Sequence, residues 1–141
     1  MNLGFTGSRD GGMPTFGQIV TVDELLFVLQ PSEVHHGDCV GSDEWFHNRV
    51  TGPYKNKPIV HIHPPDDPKY RAYCTGTNCV IHPVKPYMVR NQDIIDASNT
   101  LIATPHGPEE VRSGTWATIR RARKKGIPIY IVWPNAKTTK E

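Results

Sequence analysis

The fold of this chain is decided by residues 100–133, which read TLIATPHGPEEVRSGTWATIRRARKKGIPIYIVW. An apolar run of strand length leads through a polar loop into an amphipathic stretch over residues 115–125, and a second apolar run follows over residues 128–133. Gly126 lies between this stretch and the second run, at a position where a glycine commonly ends a helix. A strand, a helix and a second strand in this order are typical of a βαβ unit with parallel strands.

The same alternation extends over the rest of the chain. Apolar runs predict further strands, and stretches with apolar residues at helical spacing predict further helices. The predicted strands cover residues 2–5, 33–36, 58–63, 100–104 and 128–133, and the predicted helices cover residues 22–29, 42–50, 87–97 and 115–125. Ser42 is the expected N-cap of the second helix. We therefore predict a single Rossmann-like three-layer α/β domain over residues 1–134, with a mostly parallel five-stranded sheet and a flexible C-terminal tail over residues 135–141.

Residues 64–86 have no consistent period and contain five prolines. Structureless loops of about 20 residues are uncommon in compact domains, where they are usually functional or mark a misassigned element. A short strand over residues 80–84 is the alternative to a continuous loop. We expect a functional loop here.

Length and composition bound the function classes. The chain has 141 residues, a length typical of one domain, and a formal net charge of +2. No apolar run approaches the ~20 residues that a membrane-spanning helix needs, so we expect no membrane as a partner. The first residues lack the basic and apolar regions of a secretory signal, and three cysteines are too few for a disulfide framework. Both observations favour a cytoplasmic location.

Three polar, glycine-bearing turns follow predicted strands. In an open parallel sheet, ligands bind beyond the carboxyl ends of the strands. Glycine turns and helix N-termini present free backbone amides, which bind anions, whereas acidic side chains suit sugar hydroxyl groups. We expect Gly7, Ser8 and Arg9 after the first strand to contact a phosphate, and Gly114 and Thr115 after the fourth to contact a second phosphate. We expect Asp38 and Asp43 after the second strand to contact sugar hydroxyls. The other predicted ligand residues of these turns are Thr6, Gly37, Gly41, Thr104, Arg112 and Ser113. An ordinary strand-end turn is the alternative for the first of them.

Five stretches of the chain carry a resemblance to a known family. They read GFTGSRDG, HHGDCVGSDEWFHN, IHPP, VRNQDIIDASNTLIATP and RSGTWATIRRARKKGIPIYIVW. Together they resemble the SLOG superfamily, and within it the small YspA-like branch related to the cpYpsA proteins, whose pattern is a TGSR start, a GxxxGAD turn and a GT helix start. The resemblance covers the chain except residues 64–86 and the tail.

The resemblance implies a Rossmann-like domain that binds a nucleotide or a nucleotide-derived ligand, either linear or of the cyclic ADP-ribose type. A sensor or a sequestering protein for such a ligand is the role that fits a small domain of this kind. The resemblance also suggests a homo-oligomer, and we expect no cofactor.

The enzymatic relatives in that superfamily, the LONELY GUY-type phosphoribohydrolases, have a PGGxGTxxE helix start and an upstream catalytic arginine. Thr118 stands at the position of the glutamate, and a threonine can neither stabilise an oxocarbenium-like centre nor activate water. Arg90 stands where the upstream arginine is expected. We therefore expect ligand binding without hydrolysis. Cleavage of the N-glycosidic bond of a nucleoside monophosphate is the alternative, with Arg90 and Asp43 as candidate catalytic residues.

Other residues have both a functional and a structural interpretation. Arg90 and Asn91 are assigned to the ligand, with pairing of Arg90 to a nearby acid as the alternative. A substitute catalytic carboxylate would have to come from a small set of acids in or near the candidate loops, namely Asp10, Asp38, Asp43 and Asp93. We expect Trp116 to contact the ligand or a second subunit, and Phe46 and Trp133 to lie in the core.

The histidines, the cysteines and the basic run complete the candidates. Cys74 and Cys79 lack a partner pair at zinc-site spacing, and zinc would need His61, His63 or His82 from other strands, so we expect no metal. The basic run from Arg120 to Lys125 is interpreted as a solvated helix face, and a single-stranded nucleic-acid module is the alternative.

Overall fold

The computed structural model describes residues 1–9, 12–52 and 57–141. Its strands are β1 (Asn2–Gly7), β2 (Glu33–His36), β3 (Ile59–Ile62), β4 (Cys79–Ile81), β5 (Thr100–Thr104), β6 (Ile129–Val132) and β7 (Thr138–Lys140). Its helices are α1 (Phe16–Leu29), α2 (Ser42–Val50), α3 (Tyr87–Ala97) and α4 (Gly114–Lys125), with a short 3₁₀ turn over Pro68–Tyr70.

The strands form one sheet with the order β4-β3-β2-β1-β5-β6-β7. Neighbouring strands from β4 to β6 are parallel, and β7 runs antiparallel to β6. The chain builds outward from β1 to β4 and then returns to the other side of β1 with β5. The predicted α/β class with a mostly parallel sheet is confirmed, and the described residues form seven strands instead of the predicted five. The strand order reverses between β1 and β5, which is the place where open α/β sheets bind ligands.

Two apolar cores lie on opposite faces of the sheet. On the face covered by α1 and α2, Phe5 stacks on Phe46 with ring centres 4.2 Å apart, and Leu3 and Ile102 join the same core. On the face covered by α3 and α4, Leu101 and Ala103 pack against buried residues of both helices. Alternate residues of β1 and β5 thus serve opposite faces, as strand geometry requires. None of the helices in the described part of the chain is long and apolar enough to cross a membrane.

Strand β4 is the first of the two strands beyond the predicted five, and at Val80 and Ile81 it overlaps the short strand that was the alternative over residues 80–84. It lies inside the segment predicted as a loop, pairs in parallel with β3, and forms the edge of the sheet. The same segment contains the 3₁₀ turn, begun by the Asp67 carboxylate, which accepts a hydrogen bond from the Lys69 amide at 3.0 Å. Three residues are too few to show an alternating pattern, so the bounds of this strand follow from its pairing with β3.

Strand β7 is the second, and it lies in the segment predicted as a flexible tail. The backbones of Glu141 and Ile129 exchange two hydrogen bonds, of 2.8 and 3.0 Å. The Glu141 carboxylate accepts both a 2.7 Å and a 2.8 Å hydrogen bond from the Arg123 guanidinium. The strand reads Thr-Thr-Lys and is exposed throughout, so it has no apolar pattern. Strand β7 is held by its pairing with β6 and by the contact of Glu141 with Arg123 of α4.

The start of α1 and the N-cap of α2 differ from the prediction. Helix α1 begins at Phe16 because Thr15 and Gln18 form a capping box, in which each side chain bonds the backbone amide of the other. Helix α2 has Gly41 as its N-cap instead of Ser42. The Ser42 hydroxyl donates to the Ser8 carbonyl at 2.7 Å, which ties α2 to the loop after β1.

Candidate functional site

A polar cavity of about 250 Å³ lies beyond the carboxyl ends of β1 and β2, at the switch point of the sheet. Twelve of the fifteen predicted ligand residues line it: Thr6, Gly7, Ser8, Arg9, Gly37, Asp43, Arg90, Asn91, Arg112, Ser113, Gly114 and Thr115. Asp38, Gly41 and Thr104 are not among its lining residues. The parallel topology brings the loops after β1, β2 and β5 to one place, as the sequence analysis expected.

The loop after β1 forms one wall of this cavity. The Ser8 amide donates to the Thr104 carbonyl at 3.1 Å, and the Ser8 hydroxyl lies 3.0 Å from His106 Nδ1. The guanidinium carbon of Arg9 lies 3.8 Å from the centre of the Tyr70 ring, a cation–π contact that holds the cation at the rim. Asp10, one of the candidate carboxylates, lies outside the described residues.

The N-terminus of α4 forms the opposite wall. Ser113 is the N-cap, and its hydroxyl accepts from the Trp116 amide at 3.3 Å. The first helical backbone bond runs from Ala117 to Ser113, so the amides of Gly114 and Thr115 precede it and face the cavity end of the helix. Free first-turn amides and the helix dipole favour an anion at this place.

Gly114 is required by a close approach. A Cβ added there would lie 1.2 Å from the phenol oxygen of Tyr87, the first residue of α3. The Tyr87 ring therefore packs directly on the α4 start and lines the cavity. Burial raises the pKa of this phenol, so it stays protonated and can donate a hydrogen bond. The sequence analysis did not select Tyr87, since an aromatic residue at a helix start carries no local signal for a ligand.

Arg90 is buried beneath the cavity and joins two strand ends. Its Nη1 donates to the carbonyls of Gly37, after β2, and His63, after β3, the latter at 3.2 Å. Its Nε donates to Asn91 Oδ1 at 2.9 Å. These bonds give Arg90 a structural role in shaping the cavity floor, together with the fixed positive charge that it places there.

Asp43 faces Arg90 across Gly37. A Cβ on Gly37 would lie 2.5 Å from Arg90 Nη1 and 2.9 Å from Asp43 Oδ2, so both groups converge on that glycine. The Asp43 carboxylate accepts from the Cys39 amide at 3.2 Å. Burial raises the pKa of Asp43 to about 6, although the Arg90 charge acts in the opposite direction. Asp43 is thus a cavity carboxyl that titrates near neutral pH.

Among the described residues that line the cavity, Asn91 has a buried side-chain donor whose hydrogen bonding is incomplete. Asn91 is 4% exposed, and its Nδ2 makes no hydrogen bond of good geometry, although its side chain interacts with the Tyr87 phenol. An amide donor buried without a partner costs about 1–3 kcal/mol, so native proteins rarely retain one without a reason. Thr104 Oγ1 is also buried and unpartnered, directly below Gly7, where an added Cβ would lie 2.4 Å away.

Two predicted carboxylates have other partners. Asp38 is fully buried and accepts from the Cys74 amide at 2.8 Å and from Arg71 Nε at 3.1 Å, so it anchors residues 71–74. Asp93 pairs with Lys85 at 2.7 Å on the outer side of α3. Five further cavity residues were not predicted as ligands from the sequence, namely Phe5, Cys39, Ile94, His106 and Glu110. His106 lies in the loop after β5, which was predicted to contribute ligand residues. The position of that loop was therefore the feature of the sequence that could have identified His106.

Thr118 is buried on the core side of α4, outside the cavity lining. Its hydroxyl donates to the Gly114 carbonyl at 3.0 Å, one turn back along the helix. The residue at the position of the expected glutamate therefore supports the helix start. Trp116 is also buried in the core, where its ring lies 5.7 Å from that of Trp133.

Within the residues that the structure describes, one group of three donor side chains is close enough to share a metal ion. The ligand atoms of His36, His47 and Cys74 lie within 4.8 Å of one another. His36 Nδ1 accepts from the Asp38 amide, so the ring proton is on Nε2, which donates to His47 Nδ1 at 2.9 Å. A metal on His36 Nε2 would force that proton onto Nδ1, against the Asp38 amide. The group fits a hydrogen-bonded pair of neutral rings better than a metal centre.

Several basic side chains of α4 form ion pairs or hydrogen bonds within the protein. Arg120 and Arg123 pair with Glu109, both at 3.1 Å, and Arg123 also pairs with Glu141. Lys125 donates to three carbonyls at the end of α3 and beyond it, over distances of 2.8–2.9 Å. These contacts favour the interpretation as a structural helix face over the nucleic-acid alternative.

Comparisons with protein-family models, with curated proteins and with solved structures gave no match. The resemblance to the SLOG superfamily therefore rests on the quoted motifs.

Proposed function

We propose that this chain binds a nucleotide or a nucleotide-derived ligand in the cavity between the β1 loop, α3 and the start of α4. The observation that carries the proposal is the buried amide nitrogen of Asn91, which makes no hydrogen bond of good geometry and lies in the wall of a polar cavity at the sheet's switch point. A hydrogen-bond acceptor on a bound ligand satisfies that donor. The SLOG resemblance supports the same class of ligand.

The phosphate group binds at the α4 N-terminus in this proposal. The amides of Gly114 and Thr115 and the exposed guanidinium of Arg112 supply its donors, while Ser8 and Arg9 face it from the β1 loop. The donors come from two separate loops, which fits a compact, multiply charged group better than a neutral one.

The sugar lies between the phosphate and Asp43. A carboxylate accepts hydrogen bonds from vicinal hydroxyl groups, and Asp43 is the acid in the described cavity that comes from the predicted sugar-binding turn. Asp38 is engaged with Arg71 and Cys74, so we assign the sugar contact to Asp43 alone. Thr118 is buried on the core side of α4, so the position of the expected glutamate offers no carboxylate to the cavity. We therefore propose a sensor or sequestering protein that leaves its ligand intact.

Hydrolysis of the N-glycosidic bond is the second candidate, and one observation favours it. Asp43 is a cavity carboxyl with its pKa raised to about 6, in the range where a carboxyl group serves as an acid or a base near neutral pH. In this alternative, Asp43 activates water and Arg90 provides positive charge beneath the substrate.

Isothermal titration with the four nucleoside 5′-monophosphates, ADP-ribose and cyclic ADP-ribose tests the proposal. We expect at least one of them to bind, and we expect Asn91→Ala to weaken its binding by about tenfold, the size of one lost hydrogen bond to a charged or polar ligand. Asn99→Ala is the matched control, since Asn99 bonds the Asn2 amide at the opposite end of the sheet. Absence of binding by all six compounds would contradict the proposal.

Chromatography of the recovered ligand separates the two candidates. A ligand recovered intact supports the binding protein. Release of free base that is abolished by Asp43→Asn would assign the chain to the hydrolases instead.

A further inference from the structure

A second groove, of about 500 Å³, opens beside the cavity between α3 and α4. The two spaces share the residues of one ridge, Tyr87, Arg112, Ser113 and Gly114. Because the Tyr87 ring packs on Gly114, a molecule that leaves the cavity across this ridge enters the groove directly. The apolar residues that line the groove are Met88, Val111 and Ala117.

The groove is lined by cations and, among its described lining residues, by no acid. The four cations are Arg112, Arg120, Arg121 and Lys124. Arg120 is engaged with Glu109. Its neighbour Arg121 is poorly satisfied: Nη1 reaches the Ala117 carbonyl only at 3.4 Å, Nη2 reaches the Met88 sulfur at 3.9 Å, and Nε is buried without a partner.

Arg121 differs in this respect from other cations of the same helix. Arg123 holds two carboxylates, and Lys125 holds three carbonyl oxygens. A guanidinium is an excellent anion ligand because its planar donors match phosphate or carboxylate oxygens. Arg121 keeps these donors on weak partners, next to Lys124, in a groove that opens from the phosphate end of the cavity.

We propose that the groove binds a second phosphate group of the same ligand, so that the ligand carries two phosphates separated by a sugar. This inference rests on the proposed function. Arg121 lies seven positions after Gly114, and its side chain leans back so that Nη1 reaches the Ala117 carbonyl, which belongs to a residue about 5 Å along the helix axis from Gly114. The two phosphate subsites are therefore further apart than the adjacent phosphates of a diphosphate. A nucleoside 3′,5′-bisphosphate and a 5′-phosphorylated dinucleotide both have a suitable separation.

Titration of four probes that share one base tests this inference at 150 mM salt, where weak surface binding is screened. The probes are the nucleoside 5′-monophosphate, the 5′-diphosphate, the 3′,5′-bisphosphate and the 5′-phosphorylated dinucleotide, each with the base that the wild-type protein prefers. We expect the bisphosphate or the dinucleotide to bind at least tenfold more tightly than the monophosphate, and the diphosphate to gain less. A gain limited to the bisphosphate identifies a small nucleotide, and a gain limited to the dinucleotide identifies the 5′ end of a short strand.

Arg121→Gln is the decisive variant, and Arg123→Gln is its control because it removes the same charge from the same helix outside the groove. We expect Arg121→Gln to abolish the gain while it leaves the monophosphate affinity unchanged, and Arg123→Gln to keep the gain. Equal affinities for the monophosphate and both extended probes, or an equal loss for all probes in Arg121→Gln, would overturn the inference and leave the proposed function standing. Absence of binding by every probe and also by ADP-ribose and cyclic ADP-ribose would refute the proposed function itself.

Sedimentation velocity checks the other occupant of the groove. A dimer that Arg121→Gln dissociates, with nucleotide affinities unchanged, would assign the groove to a second copy of the chain and overturn the inference.

Discussion

Asp38 and Asp43 show how much the role of one residue depends on its partners. Both carboxyl groups are buried, and they belong to one turn after β2. Asp38 is saturated by Arg71 and the Cys74 amide, so it fixes a loop. Asp43 accepts from the Cys39 amide and lines the cavity, where burial raises its pKa to about 6. Position in the fold, rather than residue type, separates the anchor from the candidate ligand.

Gly114→Ala tests the contact between Tyr87 and the α4 start. The added Cβ would lie 1.2 Å from the Tyr87 phenol oxygen, so the ring must move away from the helix N-terminus. We expect nucleotide affinity to fall by tenfold or more, measured by isothermal titration. Gly107→Ala is the control, because a Cβ there has nothing within 4 Å. Unchanged affinity in Gly114→Ala would show that Tyr87 takes no part in the site.

At the scale of elements, four histidines form a stacked array across β2, β3 and the residue after β4. His35 stacks on His61 and His63 stacks on His82, both with ring centres 4.3 Å apart. Hydrogen bonds link His35 to His63 at 3.0 Å and His61 to His82 at 2.9 Å. Among the described residues, the charged groups near the array include Glu33, Lys85, Asp93, Asp96 and Arg90. A second proton in this array would place like charges in contact.

This array makes the stability of the fold depend on pH. Burial lowers the pKa of His35 to about 4 and that of His63 to about 3, and it lowers that of His82 as well. Below the ordinary value of about 6.5 the unfolded chain takes up protons that the folded chain refuses, so the free energy of unfolding falls as pH is lowered from 6.5 toward 4. His35 alone contributes on the order of 1–2 kcal/mol to this fall by pH 5.

Urea denaturation at pH 7.5 and pH 5.0 checks the expected fall. His35→Phe keeps the ring stack and removes one titrating group, so it should reduce the difference between the two pH values. His106→Gln removes an exposed histidine outside the array, so it should keep the wild-type difference. The same difference in wild type and His35→Phe would contradict this account.

At the scale of the molecule, the sheet is protected at both edges by short strands. β4 has three residues and β7 is polar and exposed. Short, charged edge strands discourage pairing with a second chain. Without β7, the edge would pass to β6, which contributes the buried residues Ile129, Ile131 and Val132 to the cores.

Deletion of residues 138–141 tests the contribution of β7. The deletion removes the pairing with β6 and the ion pair between Arg123 and Glu141, and it uncovers an apolar edge. We expect the thermal midpoint to fall by roughly 5 °C or more, with aggregation on heating. Glu141→Gln is the control that removes the ion pair alone, and it should cost much less, because exposed ion pairs contribute little. Equal midpoints for the wild type and the truncated chain would mean that β7 adds no stability.

The sequence by itself determined the central architecture. The predicted ranges of β2, β5, α2 and α3 are confirmed at both ends. Their bounds follow from short apolar runs, from apolar residues at helical spacing, and from the turn and cap residues that flank them. Most of the candidate cavity also followed from the sequence, since parallel strands must bring their carboxyl ends to one edge of the sheet. Gly7 and Gly114 could be predicted as ligand residues because each lies in a loop that follows a parallel strand.

Only the tertiary structure decided the strands and side chains whose partners are distant along the chain. The bounds of β4 and the presence of β7 follow from hydrogen bonds that a neighbouring strand offers, since three-residue strands are too short to show a periodic pattern. In the same way, the engagement of Asp38 by Arg71, the packing of Tyr87 on Gly114 and the weak partners of Arg121 depend on where side chains from different elements meet. Local periodicity indicates which face of an element is buried. The orientation and the hydrogen-bond partners of a polar side chain are set instead by contacts between elements.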